Sequence, residues 1–238
     1  MGRLSEGSTT EGAVGGGPAF VFDLDGTLVD SVYQHVLAWR EALEEAGITL
    51  AVWRIHRRIG MSGGLFVNAL ARETGRRVTA EEAALLQRRH ADAYARQVSQ
   101  VRPLPGARDL LAHLSRLRVP WAIATSGRLE SARPTIEMLG VGADVPVITR
   151  DQVQRAKPDP DLFLTAAERL GVPIAASVVV GDSVWDLLAA HRARALGVGL
   201  LSGGYGQDEL ERAGAYRVYQ DPADLLAHLD EVGVRAGE

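Results

Sequence analysis

The feature that most constrains this chain is an alternation that begins near residue 102. Short apolar segments at 121–125, 145–148, 177–180 and 198–201 are separated by stretches of helical periodicity near 107–117, 130–139, 160–170 and 184–194. Strands that alternate with helices are joined by right-handed crossovers, which build a mainly parallel sheet. The apolar run Ala19-Phe-Val-Phe22 supplies a first strand far upstream. The expected fold class is therefore α/β, a doubly wound, mainly parallel, Rossmann-like sheet.

Between the first strand and the alternation the texture is different. Val32, Val36, Trp39 and Leu43 fall on one face of a helix that closes at Gly47. A second helical pattern covers 65–74, and Thr79-Ala-Glu-Glu82 reads as a capping box opening a helix toward Val98. Residues 32–101 carry no strand pattern and are expected to form an inserted, all-helical cap domain. Arg102-Pro-Leu-Pro-Gly106 breaks the helical pattern as a hinge would. The core is then assigned to 19–31 and 102–238. Residues 1–18, rich in Gly, Ser and Thr and without the apolar stretch of a secretory signal, read as a mobile tail.

Composition narrows the partners. No apolar run approaches membrane-spanning length, and a formal charge of −4 without any basic block gives no electrostatic reason to expect nucleic acid or a membrane surface. The chain has no cysteine, so thiolate chemistry is excluded and any metal must be held by oxygen or imidazole; the expected location is cytoplasmic. The oligomeric state is left open, a monomer included.

In an open parallel sheet, ligands bind beyond the carboxyl ends of the strands. Read together, those ends give Asp23-Leu-Asp25-Gly-Thr27, then Thr125-Ser126-Gly127, then Gly181-Asp182-Ser183-Val-Trp-Asp186. Lys157, the single lysine among 26 cationic residues, lies in the segment leading into the helix after the second of these later strands, 145–148. In extended geometry Asp23 and Asp25 share a side, although a turn starting at Asp25 would re-aim its carboxylate. Four carboxylates, one ammonium and a set of hydroxyl and backbone donors suit a hard cation beside an anionic substrate. Mg²⁺ fits, because it takes one or two carboxylates together with substrate phosphate. A phosphate ester could then be held by Mg²⁺, Lys157, the Thr125 hydroxyl and the N–H groups of Ser126 and Gly127. Asp23 is placed to attack phosphorus, giving an aspartyl-phosphate, and Asp25 to exchange protons with the leaving oxygen and with water.

The motifs DLDGT, Thr125-Ser126, Lys157-Pro and GDSxxD, in this order and on these elements, resemble those of the haloacid dehalogenase (HAD) superfamily of phosphohydrolases. The helical segment after the first motif resembles the cap of the phosphoglycolate phosphatase and β-phosphoglucomutase branch. The resemblance implies Asp23 as nucleophile, Asp25 as acid/base, Thr125 as a phosphate contact and Lys157 as charge stabiliser. It further implies Mg²⁺ held by Asp23, Asp182 and the Asp25 carbonyl, with Asp186 acting beside them or through water. The dehalogenases themselves lack the second aspartate, so Asp25 points to phosphate chemistry. The expected activity is Mg²⁺-dependent hydrolysis of small phosphorylated metabolites, phosphoglycolate or a sugar phosphate. A sugar-phosphate mutase and a non-catalytic phosphate-binding or regulatory module are the alternatives. The arginine that grips a second phosphate in β-phosphoglucomutase has Gly63 at its position here, which favours a hydrolase, although Arg54, Arg57 or Arg58 could substitute.

Within the cap, His35, Arg58 and Ser62 are candidate substrate contacts. His35 can couple cap closure to Asp25, or be an ordinary half-buried histidine. Arg54 and Arg58 share one helical face that a solvated surface would equally explain. Ser62-Gly63-Gly64 reads as a loop over the site or as a helix entry. Trp185 is expected to pack, Leu201 to Tyr205 to end the last strand, and His56, His90, His113, His191 and His228 show no metal spacing.

Overall fold

The computed structural model describes residues 17–75 and 77–234; most of the expected tail at 1–18 lies outside them. The chain opens with strand β1 (Ala19–Phe22), followed by the two-residue strand β2 (Val29–Asp30) and helices α1 (Val32–Glu44), α2 (Val52–His56), α3 (Gly63–Thr74) and α4 (Ala80–Ala95). It returns through β3 (Arg102–Pro103) to α5 (Ala107–Arg116), β4 (Trp121–Ala124), α6 (Leu129–Leu139), β5 (Val147–Ile148), α7 (Asp161–Leu170) and β6 (Ser177–Gly181). The remainder is α8 (Val184–Ala193), β7 (Leu196–Leu200), α9 (Gln207–Ala213), β8 (Ala215–Tyr219) and α10 (Pro222–Ala227).

The main sheet has the order β5-β4-β1-β6-β7-β8 and every pairing in it is parallel. Its strands alternate strictly between two apolar layers. Phe20, Phe22, Trp121, Ile123, Val178 and Val180 enter one cluster, and Val21, Ala122, Ala124 and Val179 enter the other. That pattern is the mark of a sheet covered by helices on both faces. The alternation in the sequence ends at 201, so β8 is an addition: its exposed Tyr216 and Arg217 interrupt the apolar run that marks the other strands. Parallel pairing with β7 holds it in place.

The inserted helices carry their own core. Val32, Val36, Trp39 and Leu43 of α1 pack with Ile55, Phe66, Val67, Leu70 and Leu86. The predicted capping box is present, Thr79 Oγ1 accepting from Glu82 N–H at 3.2 Å while Glu82 accepts from Thr79 N–H at 2.8 Å. The hinge segment has a structure the sequence did not announce: β2 and β3 pair antiparallel, Val29 opposite Pro103 and Asp30 opposite Arg102, so the chain leaves and re-enters the core side by side. Among the described residues no helix is long and apolar enough to cross a membrane.

Candidate active site

Strand β1 lies in the middle of the sheet between β4 and β6, and the chain proceeds outward in both directions from it. This is the topological switch point, where the carboxyl ends of neighbouring strands diverge and leave a crevice. Phe22 is level with Ile123 on one side and Val180 on the other, so the residues that follow all three strands emerge together.

Asp23 continues the line of β1, its N–H bonded to Val180 O at 2.9 Å, and the residue is only 4% exposed. Asp25 does not continue it. The chain turns at Gly26, whose φ of +86° is open to glycine alone at little cost, and Gly26 N–H closes on Val29 O at 2.8 Å. The turn brings Asp25 against the start of α1: its Oδ1 accepts from Ser31 Oγ at 2.6 Å and lies 3.2 Å from His35 Nε2. Of the two orientations the sequence left open, the turn is the one adopted.

Lys157 is fully buried, ion-paired with Asp23 and, at 2.8 Å, with Asp186 Oδ1. Burial alone would lower the lysine, yet Asp186 and Asp23 together hold it well above the usual ammonium range. Asp186 Oδ2 is further held by Ser183, whose Oγ donates at 2.5 Å and N–H at 3.1 Å. Asp182 accepts from Thr27 Oγ1 at 2.9 Å, a partner hidden in the first motif as an ordinary threonine. One oxygen each of Asp23, Asp182 and Asp186 lies within 4.8 Å of the others.

Three buried carboxylates around one ammonium leave negative charge without a counterion. Burial, outweighing Lys157 and aided by Asp186 and Asp25, pushes Asp23 up to about 7. Asp182 is likewise pushed well above the carboxylate range, by burial first and then by Asp186 and Asp23. An oxygen-only cluster of this charge fits a divalent cation. Both shifts are upward, so the metal-free folded protein holds protons that the unfolded chain has released. The stabilising contribution of protonated Asp23 is complete below its unfolded value of 3.8 and is lost as pH rises through about 7. A divalent cation bound there would replace those protons. The rise in Tm on adding Mg²⁺ should therefore be larger near about pH 7.5 than near about pH 5, as differential scanning calorimetry would read; equal rises would remove this account of the cluster.

The backbone is built close around Asp182. A Cβ placed on Gly203 would stand 1.8 Å from Asp182 Oδ2, and one on Gly26 would stand 2.5 Å from the same atom. Gly203→Ala must displace this carboxylate. The expected consequence is a 10- to 100-fold weaker apparent affinity for the activating metal, about the cost of disturbing a ligand's supports, measured by Mg²⁺ titration of activity.

Above the cluster opens a cavity of about 470 Å³, lined by Asp23, Asp25 and the 125–127 loop from below and by His35, Trp39, Arg58, Gly63, Gln87 and His90 from the cap. Thr125 is buried, and its Oγ1 accepts Gly127 N–H at 3.0 Å, while the following helix begins only at Leu129. Ser126 and Gly127 thus belong to a tight loop ahead of that helix. Ser126 lines the cavity, and its buried Oγ has no protein partner. Ser62, buried, precedes α3 and is not among the cavity's lining residues. Arg58 lines the cavity while ion-paired with Glu73, which Arg54 also engages. Arg57 turns to the core instead: it pairs with Glu209 and its guanidinium lies 4.1 Å from the centre of the Tyr205 ring.

This last contact belongs to a cap-to-core clasp. Arg57 O accepts from Trp185 Nε1 at 3.2 Å and from Tyr205 OH at 3.0 Å, and His56 Nε2 lies 2.8 Å from Gly203 O. Trp185 is expected from the sequence only to pack, Tyr205 to end a strand, and His56 to have no metal-ligand spacing. Their partners lie more than a hundred residues away in the chain, a separation no local pattern reports.

The haloacid dehalogenase-like hydrolase family matches residues 18–194, the span that contains the strand-end aspartates, the loop at 125–127 and the buried lysine. The chain belongs to the haloacid dehalogenase-like hydrolases. Among solved structures, the HAD-like chain superposes on a hydrolase from Pseudomonas syringae with a TM-score of 0.89 and 55% identity, covering 91% of this chain and 100% of that one. Among characterised relatives, it is 36% identical to hexitol phosphatase A of Escherichia coli (strain K12), over 71% of this chain and 76% of that protein. It is 30% identical to β-phosphoglucomutase of Bacillus subtilis (strain 168), over 89% and 92% respectively. Its core is that of the HAD-like fold, a mostly parallel sheet with an inserted helical cap.

Proposed function

We propose that this HAD-like protein is a Mg²⁺-dependent phosphatase of small phosphorylated metabolites, with Asp23 forming and losing an aspartyl-phosphate. The observation that carries the reading is the buried set of Asp23, Lys157, Asp182 and Asp186 beneath a cavity into which Asp25 and an unpartnered Ser126 hydroxyl also open. Asp23, Asp182 and the Asp25 carbonyl would hold the ion, with Asp186 completing the charge. When bound, Mg²⁺ supplies neutralisation between the carboxylates and the phosphoryl oxygens.

The chain's own groups do the rest. Lys157 and the Ser126 and Thr125 hydroxyls take the phosphoryl oxygens, and the rigid end of β1 aims Asp23 at phosphorus. Lys157 is clamped between Asp23 and Asp186, so its charge is in place before substrate arrives. Asp25, half-buried, is held below the usual carboxylate range against the effect of desolvation, chiefly by His35, then by Ser31 and Lys157. An incoming phosphate opposes that effect, like charge raising a carboxyl, so Asp25 takes up its proton as substrate settles. It then gives the proton to the leaving oxygen and recovers one from the attacking water.

The cavity walls support an uncharged, hydroxyl-bearing leaving group over a carboxylate-bearing one such as glycolate. Arg58 is paired with Glu73, Arg128 lies 3.3 Å from Asp151, and Arg150 donates to Val153 O at 2.6 Å, while Trp39, Gln87 and Ser131 offer a flat face and neutral polar groups. The same pairings argue against a mutase, which must grip a second phosphate, because Gly63 and Gly64 line the wall where that grip is expected and Arg54, Arg57 and Arg58 are engaged elsewhere. The test is phosphate release from a panel of alkyl phosphates with Mg²⁺ and with chelator. Metal-dependent hydrolysis of polyol or sugar phosphates, ranked above phosphoglycolate, is expected. Absence of any metal-dependent release would favour a binding module, and conversion of β-glucose 1-phosphate to the 6-phosphate faster than phosphate release would favour a mutase.

A further inference from the structure

Asp25 stands at the end of a line of two histidines. His35 Nε2 lies 3.2 Å from Asp25 Oδ1, and the other nitrogen of the same ring, Nδ1, lies 3.1 Å from His90 Nε2. Two ring nitrogens at that separation share one proton, so one donates and the other accepts. Neither ring is free to turn: His90 is stacked on Trp39 with centroids 4.2 Å apart, and His35 on Tyr94 at 3.9 Å. A neutral imidazole carries a single N–H. For His35 to donate from Nε2 to the carboxylate, its Nδ1 must be bare, and a bare Nδ1 needs a donor, which His90 Nε2 supplies. Burial pushes His90 well below the ordinary histidine range, in keeping with a neutral ring. Ser31 and His35 both address Oδ1 of Asp25, whereas Oδ2 lies on the side of the phosphate loop, 4.0 Å from where a Cβ on Gly127 would stand.

We propose that His90 is a positioning residue for the acid/base step: by fixing His35 as the Nε2–H tautomer it ties down Oδ1 of Asp25 and leaves Oδ2 to exchange the proton with the leaving oxygen. This rests on the reading of Asp25 as acid/base. In the first half-reaction the bond from phosphorus to the leaving oxygen breaks as the Asp23 oxygen bonds to phosphorus, and the Oδ2 proton passes to the leaving oxygen. In the second, Oδ2 takes a proton from the water whose oxygen replaces Asp23 at phosphorus. His90 neither gains nor loses a proton overall. His35 and His90 sit on α1 and α4 while Asp25 belongs to the core turn, so the line is complete only with the cap seated on the core.

The Mg²⁺-loaded enzyme tests this with two esters, the alkyl phosphate it hydrolyses fastest and 2,4-dinitrophenyl phosphate, whose leaving group departs without a proton. His90→Phe keeps a ring against Trp39 and removes both nitrogens. Its kcat/KM should fall about 100-fold for the alkyl ester, the lower range of general-acid contributions, and stay within about threefold for the aryl ester. An equal fall for both esters, or no fall for either, overturns the role of His90. Asp25→Asn separates this from the underlying reading: if it fails to discriminate between the two esters, the acid/base assignment itself is wrong. Nitrogen NMR of the unmutated, ¹⁵N-histidine-labelled protein gives a readout independent of turnover and of variant folding. A proton on His35 Nε2 with none on Nδ1 is expected; a proton on His35 Nδ1, alone or in an imidazolium, overturns the proposal.

Discussion

Asp23→Asn is expected to lower kcat by about 10⁴-fold or more, the scale on which removal of a catalytic nucleophile acts. The substitution is nearly isosteric, and the amide cannot form the acyl-phosphate on which turnover depends. It also removes one of three negative charges from a buried cluster. That separates the chemical role from the structural one: the metal-free variant should unfold at a temperature close to or above that of the wild type near about pH 7.5, because the charge it lacks is one that burial disfavours. Steady-state rates with Mg²⁺ and a thermal scan without it are the two measurements. A variant retaining a tenth of the wild-type kcat would displace Asp23 from the centre of the mechanism, whatever its Tm.

Lys157→Ala is the complementary case and should damage both properties. The ammonium is fully buried and paired with two carboxylates, and its removal leaves Asp23, Asp182 and Asp186 facing one another without a protein cation. Breaking a buried ion pair from one side costs about 3–5 kcal/mol, since the partners keep their desolvation penalty and lose their compensation. Urea unfolding in chelator should register that loss, and saturating Mg²⁺ should restore part of it by supplying charge to the same carboxylates. Activity should not return with stability, because the charge that faces the phosphoryl group beside the nucleophile comes from Lys157. Lys157→Arg is expected to behave much like the alanine variant. A planar guanidinium is larger than the ammonium it replaces, and the pocket that holds Lys157 against Phe163, 5.1 Å from the ring centroid, has no exposed edge. Full activity in the arginine variant would show that charge alone suffices at this position.

Much of the molecule was legible before any coordinates. The parallel sheet followed from strand-helix alternation, and its crevice from the rule that ligands gather at carboxyl ends of such strands. The convergence of Asp23, Thr125, Lys157 and Asp182 on one crevice was expected because each lies within a few residues of a strand end or leads into a helix beside one. Local devices were equally readable, the Thr79–Glu82 capping box and the glycine turn at 26 among them, since each is written in adjacent residues.

What the sequence by itself determined is the chemistry of this protein: a solitary lysine among arginines, carboxylates after apolar strands, and a glycine where the backbone must turn. Those signals are local, and covalent neighbours carry them. Tertiary structure alone decided which way Asp25 faces, that β8 extends the sheet, that Arg57 clasps Glu209 and Tyr205, and that His90 meets His35. Each of these depends on side chains brought together across long stretches of chain, or on a turn whose direction two aspartates one residue apart leave undetermined. Periodicity reports which face of an element is buried; it carries no information about which residue of another element lies opposite.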